Sequence, residues 1–120
     1  MRMLLIGLLS LFQPATQLGE SSSIVGSVRD NLGAVIGGAH VVMHADAVGR
    51  VTQPPDVTLR SDPSGRFQAN ASPGFYDVCV LADAFDPECR KVLVGRGSAA
   101  RTDFQLRLNA AVAERIGERF

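Results

Sequence analysis

Between Ile24 and Leu108 the chain repeatedly alternates apolar with polar residues, the period-two signature of strands that bury one face. The alternation predicts a first strand over Ile24–Arg29 with Ile24, Gly26 and Val28 on one side, and a second over Ala39–His44 with Ala39, Val41 and Met43 inward. Val57–Arg60 and Arg66–Ala69 predict two more, separated by Asp62-Pro63-Ser64-Gly65. In that tetrapeptide Asp opens a type I turn, Pro pre-sets the second φ and Gly closes it. The pattern predicts a hairpin there. Ser72-Pro73-Gly74 then predicts a second reversal into Phe75–Ala82, the longest strand, whose alternation turns Tyr76, Val78 and Val80 inward. Arg90–Val94 and Thr102–Leu108 complete seven strands, the last with Phe104, Leu106 and Leu108 on one face. Phe67 is also expected in the core. Seven short strands with one polar face each predict an all-β, seven-stranded antiparallel β-sandwich.

Both flanks depart from this pattern. Arg2 followed by the uncharged apolar run Leu4–Phe12, broken at Gln13-Pro14-Ala15, is expected to be a secretory signal over residues 1–19. As a helix that run covers only about 14 Å, roughly half a bilayer core, so it is not expected to anchor the mature chain in a membrane. After Asn109, Val112, Ile116 and Phe120 recur every four residues, and residues 109–120 are expected to form a tail with a short amphipathic helix. The sandwich domain itself is expected over residues 23–108. Asp46–Asp56, with Gly49 and Pro54-Pro55, is expected to be a long loop.

Composition narrows the role. A chain of 120 residues holds one domain, and 46% hydrophobic residues with 12 Gly and 6 Pro suit a compact all-β core. Twelve Lys+Arg balance twelve Asp+Glu, and no basic run appears. Nucleic acid is therefore not an expected partner.

Cys79 and Cys89 are the only two cysteines, and an even count in an exported chain predicts a disulfide between them. Alternation sets Cys79 opposite Tyr76, Val78 and Val80, so the bridge is expected on the outer side of the Phe75–Val94 hairpin. His40 and His44 would share a strand face but stand about 13 Å apart, too far to ligate one ion. No His-x-x-Glu pair occurs. No catalytic, cofactor-binding or metal residue is assigned. Sugar recognition commonly uses exposed aromatic platforms, and this chain has no Trp and one Tyr, expected inward.

Four segments resemble, in their order and spacing, the carboxypeptidase regulatory-like domain of the transthyretin-like, or prealbumin-like, β-sandwiches. They are Ile24–Asp30 with Gly33, Gly38–Val41, Ser61–Phe67 and Pro73–Val78. Where that family usually has Gly before an aromatic after the long strand, this chain has Ala84 before Phe85. The resemblance implies an accessory module that supplies no catalytic residues, of a kind found on secreted and cell-surface proteins. Hydroxyisourate hydrolases of the same fold end in Tyr-Arg-Gly-Ser. Here Gly95 replaces the Tyr of Gly95-Arg96-Gly97-Ser98 and the chain runs on past Ser98, which favours a turn. The expectation is thus a secreted or periplasmic, non-enzymatic module that contacts a protein partner or gives structural support, with carbohydrate binding as the alternative.

Overall fold

The computed structural model describes residues 21–47 and 53–111. The expected signal segment, the centre of the Asp46–Asp56 loop and the tail beyond Ala111 lie outside the described residues. Among the described residues there are seven strands: β1 Ser23–Asp30, β2 His40–Ala45, β3 Val57–Arg60, β4 Arg66–Asn70, β5 Gly74–Leu81, β6 Glu88–Val94 and β7 Ala99–Leu106. They form two sheets, one ordered β4-β1-β7 and the other β3-β2-β5-β6. The expected sandwich is the observed architecture.

The core lies where alternation places it. Ile24, Val28, Val41, Val78, Val80 and Leu106 are fully buried. Tyr76, Phe67 and Phe104 also point inward, and the last two rings stand 6.3 Å apart. Along β1, β2 and β5 every second position contributes a buried residue, so each strand's register fixes its whole buried set.

Strand partnership departs from expectation in two ways. The Asp62–Gly65 turn forms, with Gly65 N–H donating to Asp62 O at 2.8 Å and Gly65 at φ +81°, but it closes no hairpin. β3 pairs with β2 in one sheet, whereas β4 pairs with β1 in the other, so the turn is a corner between layers. Ser72-Pro73-Gly74 is likewise a corner, because β4 and β5 belong to different sheets. The first corner is pinned by buried Ser61, whose Oγ accepts from Ala39 N at 2.9 Å and donates to Ile36 O at 2.8 Å. A turn motif fixes a local reversal; the partner of each arm is set by the faces it must bury.

Nor is the sandwich wholly antiparallel. β1 and β7 run parallel over eight paired positions, from Ser23↔Ala99 to Asp30↔Leu106. The Gly95–Ser98 segment carries the chain from one sheet to the other, and the crossing delivers β7 in the direction of β1. This pairing also recruits Ala99–Arg101 into β7 and ends it at Leu106. Leu108, expected in the core, is 39% exposed and instead bridges to Phe85.

Ala84 adopts φ +74°, the left-handed region where the family resemblance leads one to expect Gly. Its carbonyl accepts from Asn109 N at 2.7 Å, and Phe85 N donates to Ala82 O at 3.1 Å, so neighbouring bonds hold the conformation. Removing the Cβ relieves strain but enlarges the unfolded ensemble, two effects that partly offset. Ala84→Gly is expected to stabilise the domain by about 0.5–1 kcal/mol. A urea midpoint below that of the wild type would contradict the strained geometry.

Candidate interaction surfaces

The outer face of the four-stranded sheet is built by the register of β5 against β6. Phe75 faces Leu93, Asp77 faces Lys91 and Cys79 faces Cys89. The two cysteines form the expected disulfide, with Cα atoms 4.0 Å apart, on the outer side of the hairpin. Phe75 and Leu93 are 48% and 60% exposed, an apolar cross-strand pair facing solvent. Beside it Lys91 Nζ reaches Asp46 Oδ2 and Asp77 Oδ1, each at 3.1 Å. The hydrogen bond that Lys91 donates to Asp46, and then the one it donates to Asp77, hold the Lys91 ammonium above its usual pKa. All three side chains are solvent-accessible, so the cluster gives a charged border to the apolar pair more than it gives stability.

His40 and His44 both lie on this outer face, as alternation requires. They do not form a joint site: His44 Nδ1 lies 2.6 Å from Asp56 Oδ1. Among the described residues no group of three or more His, Cys, Asp or Glu could hold a metal ion. Arg96 sits in a tight turn, where Ser98 N–H donates to Gly95 O at 3.3 Å and Gly97 N–H to Ser22 Oγ at 3.1 Å.

The other sheet carries a different chemistry, which the sequence reading did not foresee. On its outer face Ser27 Oγ donates to Asp103 Oδ1 at 2.8 Å and Arg101 Nε donates to Asp103 Oδ2 at 3.1 Å. Burial raises the Asp103 pKa, but those hydrogen bonds and the Arg101 charge outweigh it and hold the carboxyl below its usual range. At one seam of the sandwich Arg90 reaches from β6 to β7, donating to Asp103 O at 2.7 Å with its guanidinium carbon 5.0 Å from the Phe104 ring centroid. Near the opposite seam Arg60 and Arg66 line one cleft with Leu59, Phe67 and Gln68, and the cleft extends past Val25 of β1 to Arg101 of β7. Asp62 also lines it, but its Oδ1 accepts from Ser64 N and Arg66 N, both at 2.9 Å. The Arg66 amide is the largest influence holding the Asp62 pKa below its usual value. The three arginines come from β3, β4 and β7, so no local run announces them; only their outward or edge positions within the alternation hinted at it.

Such surfaces can bind, by apolar contact on one face and by charge at the other seam. Two stacked sheets in this order define the class of protein: a small two-layer β-sandwich domain. The chain belongs to the carboxypeptidase regulatory-like domain family, whose sequence profile matches residues 23–107. No curated protein matches. Among solved structures the chain is similar to the wild-type catechol 1,2-dioxygenase of Acinetobacter radioresistens, with a TM-score of 0.62 at 13% identity over 83% of this chain and 56% of that one. It is also similar to the Bacillus anthracis TIE protein, with a TM-score of 0.61 at 14% identity over 74% of this chain and 17% of that one. The 3-chlorocatechol 1,2-dioxygenase of Rhodococcus opacus 1CP gives 0.59 at 14% identity, over 76% of this chain and 61% of that one. The chain thus spans less than two thirds of each neighbour, and at these identities the likeness is one of fold. Among the described residues no helix is long and apolar enough to cross a membrane.

Proposed function

We propose that this domain is an exported, non-enzymatic module that binds a protein partner through the outer face of its β5–β6 hairpin. The observation that carries the reading is the exposed Phe75–Leu93 pair, bordered by Asp46, Lys91 and Asp77 and held on a strand pair clamped by Cys79–Cys89. An apolar centre inside a polar rim is the usual anatomy of a protein contact, and a rigid platform lowers the ordering cost of binding. Export is supported by the disulfide, a bond that persists in oxidising compartments.

The test is co-purification from the exported fraction of the native host, comparing the wild type with a Phe75→Ser/Leu93→Ser variant of unchanged thermal stability. A protein recovered in stoichiometric amount with the wild type and absent with the variant is the expected result. Saturable binding on a glycan array would replace this reading with a carbohydrate one. Turnover of hydroxyisourate, abolished by Arg96→Ala, would replace it with an enzymatic one.

A further inference from the structure

The two seams of the sandwich are unlike. At the β6–β7 seam Arg90 spans the gap and hydrogen-bonds the β7 main chain. At the other seam β3 and β4 are the outermost strands of their sheets, and each turns a main-chain edge toward the cleft.

Hydrogen-bond parity identifies which groups point there. Val28 N–H donates to Gly65 O at 2.7 Å and Ala71 N–H donates to Ser22 O at 3.1 Å. In an antiparallel pair alternate residues direct their main chain to the same neighbour, so Phe67 and Ala69 also face β1. Arg66, Gln68 and Asn70 therefore direct theirs to the open side. Arg66 is already occupied, its N–H by Asp62 Oδ1 and its carbonyl by Asp62 N at 2.8 Å. Gln68 and Asn70 are left on the open edge, and Gln68 lines the cleft. Across from them, the bond from Ser61 N to Ala39 O sets Val57 and Leu59 toward β2, which directs the main chain of Thr58 and Arg60 outward.

The cleft beside this edge measures about 690 Å³ and has Arg60, Arg66 and Arg101 on its walls. Arg60 and Arg66 are exposed, and among the described residues neither guanidinium makes a hydrogen bond or ion pair. The single carboxylate in the lining is committed to the 62–66 corner. An extended acidic chain meets both requirements: its main chain supplies a ladder to Gln68 and Asn70, and its carboxylates meet the arginines. A free edge is otherwise a site of unwanted pairing, and positive charge there selects for an acidic strand and against a second basic one.

We propose that the open edge of β4 accepts an extended acidic peptide as an added strand, with Arg60 and Arg66 pairing its carboxylates. This shares with the proposed function only the premise of a protein partner, and it uses a different surface. The test measures fluorescence anisotropy of a labelled peptide of alternating Glu and Val against the full, oxidised chain. Saturable binding that weakens as salt rises is expected. Methylating the peptide amides that would face β4 should weaken binding at least about tenfold without altering the protein, since each removed ladder bond contributes on that scale. Arg60→Gln/Arg66→Gln should also weaken it about tenfold and flatten its salt dependence. Leu93→Ser should leave it unchanged, which separates this site from the Phe75–Leu93 surface. No saturable peptide binding, equal binding of the methylated peptide, or binding of a sulfated oligosaccharide in place of the peptide would each overturn the proposal.

Discussion

Replacing Gly26 with alanine is expected to cost the domain about 3 kcal/mol or more, at the upper end for overpacking, which is a large fraction of the stability a domain of this size possesses. Gly26 lies in the central strand of the β4-β1-β7 sheet, opposite Phe67 on one side and Thr102 on the other. A Cβ there would collide with the Thr102 carbonyl and come within 2.5 Å of Phe67 Cζ. The ring can turn, but the carbonyl belongs to the sheet and can yield only if β7 shifts. A Gly26→Ala/Phe67→Leu double variant should accordingly recover less than half of the loss, since it removes the softer of the two collisions. Urea unfolding with an unchanged slope provides the measurement. A loss below about 1 kcal/mol for Gly26→Ala would contradict the parallel β1–β7 packing.

The second large effect concerns the bridge. Cys79→Ala/Cys89→Ala is expected to lower stability by about 2–3 kcal/mol, because closing a loop this short removes that much chain entropy from the unfolded state. The consequence is local as well as global. Among the described residues β6 is the outermost strand of its sheet and pairs only with β5, with Arg90 as a link to β7. Without the disulfide the hairpin that presents Phe75 and Leu93 should open more readily, so binding at that face should weaken along with the fold. Intact mass before and after reduction establishes the bond, and urea midpoints of wild type and double variant measure its contribution. Equal midpoints would show that the edge is secured without it.

How much of this was legible beforehand differs by kind of property. The buried set of β1, β2 and β5 follows from alternation, because a strand's side chains change sides at each residue whatever lies beside it. The Asp62–Gly65 turn was legible for a similar reason: Pro and Gly constrain their own dihedrals. The disulfide was legible from two cysteines, and the register of β5 on β6 explains why they meet. Ala84 stood out where glycine was expected, and its positive φ is the physical content of that departure.

The chain's own letters therefore determined which residues of β1, β2 and β5 are buried, where it reverses and which cysteines join, since these depend on dihedral preferences and on neighbours one or two positions away. Tertiary structure alone decided that the two turns are corners between layers, that β7 runs parallel to β1, and that Arg60, Arg66 and Arg101 share one cleft. Those outcomes depend on which distant strand completes each sheet, and a balanced net charge carries no trace of where the folded chain gathers its charges.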